Sequence, residues 1–164
     1  MATFIMWGFL MTFLYCLVQK SSKPGGERTR MWVALTIFLS YLLLDPLLNL
    51  NFGFDILNYA DAYLIWAICD VFTLIIILFI AKNKKITKLP AKLYIVVGFS
   101  VNIALFIGMF ADTHYGEYIG PWWFWNVYAV VVNVSDVMMI IALLCNKDFL
   151  GLVRGYNRLR GLKN

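Results

Sequence analysis

The stretch that decides the fold is AYLIWAICDVFTLIIILFIA at residues 62–81, which KNKK at residues 82–85 follows directly. It contains one acid, Asp70, and neither Lys nor Arg. A helix needs about 20 consecutive apolar residues to cross the roughly 30 Å hydrocarbon layer of a bilayer. Lys and Arg collect at the cytoplasmic flanks of such spans, because moving a cation across an energised membrane is costly. The pattern predicts a transmembrane helix that ends at a cytoplasmic basic loop.

Four further stretches, on either side of this one, are also long and apolar enough to span a bilayer. Together the predicted spans cover residues 2–19, 31–50, 62–81, 93–111 and 122–145. The chain has 62% hydrophobic and 14% charged residues, whereas ordinary soluble domains have about 45–50% and about 25%. We therefore expect an all-α, polytopic membrane protein, with a five-helix transmembrane bundle over residues 1–145 and no separate soluble domain.

The basic residues give this bundle a direction. All 14 Lys and Arg residues lie in the segments 20–30, 82–92 and 147–163, whereas the connections 51–61 and 112–121 contain none. By the positive-inside rule, the three basic segments are cytoplasmic. We expect a plasma or bacterial-type inner membrane, with the N-terminus outside and the C-terminus in the cytoplasm. The first span lacks a basic n-region before it, so we interpret it as retained and not as a cleaved signal peptide.

Residues 146–164 are predicted to form a short basic, amphipathic tail beside the membrane. Apolar residues recur there at helical spacing, namely Phe149, Leu152, Val153, Tyr156 and Leu159. Arg154, Arg158 and Arg160 lie between them and are expected to contact lipid headgroups. The net charge of +5 thus indicates membrane lipid as a partner. Nucleic acid is not an expected partner, because no nucleic acid-binding motif is visible.

Polar residues inside the predicted spans indicate where a functional site could lie. We expect a polar core, and a possible cation or proton site, formed by Asp45, Asp70, Asn102, Asn133 and Asp136. A carboxylate in hydrocarbon costs roughly 2.5–3.5 kcal/mol on insertion scales, so these side chains should face the bundle interior. None of the five spans contains Lys, Arg or His to neutralise the acids.

Two interpretations of this polar core stay open. The first is a structural network, in which protonated Asp side chains bond to Asn and hold the spans together. The second is a site that gains and loses a proton or a small cation, as a coupled transporter requires. Both interpretations predict that the acids lie together inside the bundle.

Aromatic and small residues suggest further contact surfaces. Trp122, Trp123 and Trp125 lie at the outer end of the last span, where indole rings favour the headgroup level. They are either an ordinary membrane belt or an outer aromatic surface that docks a partner. Ser100, Ala104 and Gly108 share one face of the fourth span, and this face packs either within the bundle or against a second copy.

Signatures of enzymes are missing from the sequence. There is one histidine, no Cys-x-x-C, and none of the nucleophile, zinc or nucleotide-binding motifs. We predict no enzymatic activity, no cofactor and no metal site. The leading hypothesis is a small integral membrane protein that binds another membrane component, of the accessory, immunity or exclusion type, with a membrane-protein partner or as a homo-oligomer. The alternative is an oligomeric proton- or cation-coupled transporter or channel that uses the buried Asp residues.

Overall fold

A computed structural model describes residues 2–22, 28–45, 62–86, 88–115 and 122–159. Every regular element in these ranges is a helix, which confirms the all-α class. The helices are α1 (Ala2–Ser22), α2 (Arg28–Leu43), α3 (Ala62–Ile80), α4 (Ala91–Tyr115), α5 (Trp123–Cys145) and α6 (Leu152–Leu159).

Four of the described helices, α1, α3, α4 and α5, are long and apolar enough to cross a membrane. Their outer faces expose large apolar side chains, among them Phe72, Phe79 and Val130. A surface of this kind suits lipid, because soluble proteins rarely expose large continuous apolar areas. The chain is therefore a multi-pass membrane protein. With 16 residues, α2 is shorter than the other four.

The second helix ends earlier than the sequence predicts. A span over 31–50 is expected, but α2 ends at Leu43. Asp45 lies just beyond this end in a turn, where its backbone amide donates to the carbonyl of Leu42 at 3.3 Å. The physical reason is Pro46, because a proline disfavours the helical backbone region for the residue before it. Asp45 is therefore at the end of the helix and not in its interior. The rest of the predicted span lies outside the described residues.

The first five helices pack as a ring in chain order. Each of α1 to α4 packs against the next helix, and α5 returns to pack against α1. Gly98 allows α4 to approach α5 closely, because a Cβ at this position would lie 2.7 Å from Met139 Cγ. Gly108 similarly faces Phe124 of α5. The small residues Ser100 and Ala104 instead lie on an exposed face of α4.

The interior of the ring is apolar towards one end. We call this the basic end, because α3 ends there beside Lys82, Lys84 and Lys85. The buried apolar side chains of this region form one continuous cluster that includes Val33, Ile37, Ile77, Ala81, Ile95, Phe99, Met139, Ala142 and Leu143. Polar side chains replace this cluster about one helical turn further along α2, α3, α4 and α5, whereas α1 stays apolar there with Ile5 and Phe9.

Candidate functional site

A buried polar cluster lies in the ring at the junction of α2, α4 and α5. The hydroxyl of Tyr41 donates a hydrogen bond to Asp136 Oδ1 at 2.6 Å. The side-chain amide of Asn102 donates to the same oxygen at 2.8 Å. Asn102 is fully buried, and Asp136 is 3% exposed. Two other helices thus each supply a donor to one carboxyl group, and such bonds are strong in a low-dielectric interior.

Asp70 adds a second carboxyl group to this cluster from α3. Its side chain is 4% exposed and lies within electrostatic range of Asp136 and Tyr41. Among the described residues, Asp70 Oδ2 has no hydrogen-bond partner, and neither has Asn102 Oδ1. A buried polar group left without its bond costs about 1–3 kcal/mol. The cluster therefore contains more acceptors than donors.

The described cations lie elsewhere in the bundle. Arg30 is the buried one among the described Lys and Arg residues, and it donates to Gln19 near the end of α1. Lys92 donates to the carbonyl of Ala81 at 2.9 Å, at the basic end. No ion pair therefore offsets the charge of the two carboxyl groups within the described part of the chain.

A hydroxyl pair lies one turn beyond Asp70 towards the basic end. Thr73 Oγ1 is 2.7 Å from Ser40 Oγ on α2, and it also bonds the carbonyl of Cys69 at 2.8 Å. This contact joins α2 to α3 beside the cluster. Beyond it, Ile77 is fully buried, and the polar region ends.

Four aromatic rings lie next to the carboxyl groups on the side away from the basic end. We call them the aromatic box, and its members are Tyr63, Trp66, Phe106 and Tyr128. Successive ring centroids are 5.4 Å apart from Tyr63 to Trp66, 5.7 Å to Phe106, 6.0 Å to Tyr128 and 5.7 Å back to Tyr63. Tyr128 is also within electrostatic range of Asp70 and Asp136. Trp66 and Phe106 lie one helical turn from Asp70 and Asn102 in α3 and α4, so the box occupies the layer of the bundle next to the carboxyl groups.

The structure brings together three of the five predicted core residues, Asp70, Asn102 and Asp136. Asn133 does not join them. It is half-buried, and its amide donates to the carbonyl of Ala129 in its own helix at 2.5 Å. An Asn that bonds the preceding turn has no need of a partner in the core. Asp45 is buried at the end of α2, as described above.

Tyr41 is a member of the cluster that the sequence does not identify. The sequence places Tyr41 and Asp45 on one face of the second span, but it gives no sign that the phenol reaches α5. The contact joins residues 95 positions apart. It depends on how α2 and α5 pack in the ring, which the pattern of one sequence does not contain.

The predicted outer tryptophans are not a single exposed surface. The indole N–H groups of Trp122 and Trp125 both donate to the carboxylate of Asp112, at 2.9 Å and 3.2 Å. Both rings are half-buried, whereas Trp123 is 64% exposed. The feature of the sequence that could have indicated this contact is Asp112, which follows the fourth predicted span and lies about ten residues before Trp122 and Trp125. These rings bind α5 to α4, and Trp123 is the one that faces outwards.

The tail is attached to the bundle through Asp148. The hydroxyl of Tyr94 donates to Asp148 Oδ1 at 2.6 Å, and the backbone amides of Val153 and Arg154 donate to its two oxygens at 3.1 Å and 3.0 Å. Burial alone would raise the pKa of Asp148, but these bonds and the charge of Arg154 outweigh it, so the pKa lies below the ordinary 3.8. Asp148 therefore caps the start of α6.

Apolar contacts complete this attachment. Val153 is buried in the core cluster, and Phe149 stacks on the ring of Tyr94 with centroids 4.8 Å apart. Leu159 is exposed. Of the predicted headgroup ligands, Arg154 and Arg158 are exposed, and Arg160 lies outside the described residues.

Comparison of the chain with protein-family models finds no match. Comparisons with curated proteins and with solved structures find no similar protein either. The fold and the site together define a multi-pass helical membrane protein with two buried carboxyl groups beside an aromatic box.

Proposed function

We propose that this chain takes up a proton or a cation at its buried carboxyl cluster, as a proton- or cation-coupled transporter or channel. The observation that supports this function is Asp70. This carboxyl group is buried beside a second one, has an oxygen without a donor, and has no cationic side chain bonded to it among the described residues. Intramembrane carboxyl groups of this kind are characteristic of ion and proton pathways.

Asp136 and Asp70 would have different roles in this function. Asp136 receives two hydrogen bonds, so its position is fixed and both bonds act in favour of its charged form. Asp70 is the exchanging group. A proton on Asp70 removes its charge and supplies a donor, whereas its loss leaves two like charges close together in a low-dielectric interior. A cation then takes the place of the proton, so uptake of one drives release of the other.

We further propose that α2 and the residues after it form one more span, which brings the number of spans from four to five. The N-terminus would lie outside and the C-terminus in the cytoplasm of a bacterial-type inner membrane or plasma membrane. The segregation of the 14 bases supports this orientation. The amphipathic tail would lie along the cytoplasmic surface, with Arg154 and Arg158 towards anionic headgroups. Because five short helices barely enclose a path, an oligomer is the expected form.

The second candidate is the accessory function, in which the chain acts by binding another membrane protein. The exposed small residues Ser100 and Ala104 favour it, because small residues on a lipid-facing helix allow another helix to approach closely. Co-purification of the native chain and of Ala104→Leu from membranes tests this function. A partner held by the native chain and lost with Ala104→Leu would support it.

Flux measurements in proteoliposomes test the first function. The native chain should carry protons or sodium down an imposed gradient, followed with a pH-sensitive dye inside the vesicles and with sodium efflux. Asp70→Asn and Asp136→Asn preserve size and remove the titratable group, so both should stay folded and lose flux or its pH dependence. Asp112→Asn is the matched control, because Asp112 lies outside the cluster, and it should keep full flux. A native chain without flux, or Asp70→Asn with unchanged flux, rejects this function.

A further inference from the structure

We propose that the cation is an organic ammonium ion, bound with its charged nitrogen between Asp70 and the aromatic box and with its apolar part among the rings. This ligand class rests on the proposed function, because it occupies the same carboxyl group. The surroundings of Asp70 suit this class of cation for three reasons.

The first reason is the shortage of donors. Asp70 Oδ2 and Asn102 Oδ1 are buried acceptors without a hydrogen-bond partner among the described residues. A proton on Asp70 Oδ2 turns that acceptor into a donor, but it supplies no positive charge to offset a carboxylate at Asp136. A protonated amine supplies several N–H donors and a positive charge, so it can bond both acceptors and offset the repulsion between Asp70 and Asp136.

The second reason is the geometry of the aromatic box. Neighbouring centroids in its circuit are 5.4 to 6.0 Å apart, so a point inside the circuit lies within about 6 Å of every ring, which is the reach of a cation–π contact. The quadrupole of each ring attracts a cation to its face, and the hydrocarbon part of the same ion removes its own apolar surface from water. An inorganic cation would gain only the first of these two effects.

The third reason is the poor fit to a metal ion. Hard cations such as Ca²⁺ and Mg²⁺ take about six to eight oxygen ligands, including several carboxylates, carbonyls or waters. The described residues contain no group of three or more His, Cys, Asp or Glu that could hold a metal. Two carboxyl groups bordered by four aromatic rings are a better match to one large, weakly hydrated monovalent ion.

The apolar basic end gives this site one direction of entry. Ile77, Phe99, Met139 and Leu143 are fully buried between the cluster and the basic end. An ammonium ion would have to pass through this dry packing to leave on that side. Three members of the aromatic box are only half-buried, so the proposed route of entry is from the end at which α3 begins.

Calorimetric titration of the purified full chain in detergent with phenethylammonium tests this site. The native chain should bind it saturably, and phenethyl alcohol, which has the same ring without the charge, should bind at least about tenfold more weakly. Asp70→Asn should weaken ammonium binding by at least about tenfold, and Trp66→Leu by about three- to tenfold. Trp66→Phe retains an aromatic face and should restore most of the affinity.

Matched controls separate the site from general effects on the fold. Asp112→Asn and Trp123→Leu change an acid and an indole of α4 and α5 outside the site, and both should bind like the native chain. Equal affinity for the alcohol and the ammonium, or an Asp70→Asn variant that binds normally, would overturn the ligand class. A chain that carries protons or sodium but does not bind phenethylammonium would also overturn it, while the proposed function would stand. A chain that does neither rejects both.

Discussion

At the scale of single residues, two aspartates of the same chemistry have different surroundings. Asp136 accepts bonds from Tyr41 and Asn102, whereas Asp70 has an oxygen without a donor within the described chain. The difference comes from the helices that face each acid, since α2 and α4 direct donors at Asp136 and, among the described residues, none at Asp70. Two bonds therefore hold Asp136 in the fold, whereas Asp70 keeps a buried acceptor oxygen at which the proposed cation would bind.

Tyr41→Phe tests the fixed role of Asp136. The substitution removes the 2.6 Å bond to a buried carboxyl group and leaves the ring that packs on Phe9. Hydrogen bonds to charged groups contribute about 1.5–3 kcal/mol in soluble proteins, but interhelical bonds in membranes average about 0.6 kcal/mol. We expect a loss of about 1–2 kcal/mol in the free energy of unfolding, because the site combines both conditions. Unfolding in mixed micelles with increasing SDS, followed by circular dichroism, measures it.

Tyr15→Phe is the control for this experiment. Its hydroxyl accepts a bond from Gln19 on the exposed face of α1, close to the end of the helix, where headgroups and water can replace the lost bond. The free energy of unfolding should change little. If the two variants lose the same free energy of unfolding, the bond between Tyr41 and Asp136 contributes no more to stability than the exposed bond between Tyr15 and Gln19.

At the scale of elements, the sequence predicts the positions of the helices well and their ends less well. Apolar runs between charged segments locate α1, α3, α4 and α5 because a bilayer span sets both length and composition. The end of α2 was missed, since apolar residues continue past Leu43 and hydropathy does not respond to the backbone restriction before Pro46. Helical spacing in the tail was visible in residues 149–159.

The candidate site follows the same division. Burial of Asp70 and Asp136 was predictable, because a carboxyl group in an apolar span has to avoid lipid. Their partners were not, since the choice between Asn102 and Asn133 depends on the rotation and depth of two packed helices. The hydropathy pattern likewise places Asp112 in the connection 112–121. Its bonds to two indoles require the α4–α5 approach that only the folded chain provides.

Asp148 is predicted to make the attachment of α6 dependent on pH. A carboxyl group with a lowered pKa stabilises the folded form above its unfolded pKa, and that contribution is lost as pH falls through the folded pKa. Since the pKa of Asp148 lies below 3.8, α6 should stay attached at neutral pH and loosen only in more acidic solution, below about that value. Hydrogen–deuterium exchange of the α6 amides over this range measures the change.

Asp148→Asn removes the titration and provides the comparison at each pH. Loss of a charged cap costs about 1 kcal/mol, so α6 should exchange about fivefold faster in this variant at neutral pH. The difference between the two proteins should shrink as the native carboxylate becomes protonated. Identical exchange at neutral pH would show that the contacts of Val153 and Phe149 hold α6 without the cap.

At the scale of the whole molecule, the ring has two unlike ends. Apolar packing fills the interior of the basic end, while the buried carboxyl groups Asp70 and Asp136 and the aromatic box occupy the middle and the opposite half. The sequence shows the same asymmetry in its connections, since all 14 bases occur at one set of ends, whereas the connections 51–61 and 112–121 at the other contain acids and no Lys or Arg. Charge segregation of this kind orients a bundle in its membrane, and orientation decides from which side the carboxyl cluster can be reached.

Topology is therefore the prediction on which the direction of entry depends. Reporters fused after Gly25, Asp55, Thr87, Gly116 and Asn164 should lie inside, outside, inside, outside and inside, because each basic segment stays in the cytoplasm. Two reporters are used at each position, one that is active only in the cytoplasm and one that is active only outside it. Each position then gives a positive signal in one of the two assays. Replacing Lys82, Lys84 and Lys85 by Gln should weaken this orientation at Thr87 and leave Gly25 unchanged, since the bases of 20–30 are still present. A cytoplasmic signal after Gly116 would contradict five spans, and it would place the aromatic box on the cytoplasmic side, so the cation would have to enter from within the cell.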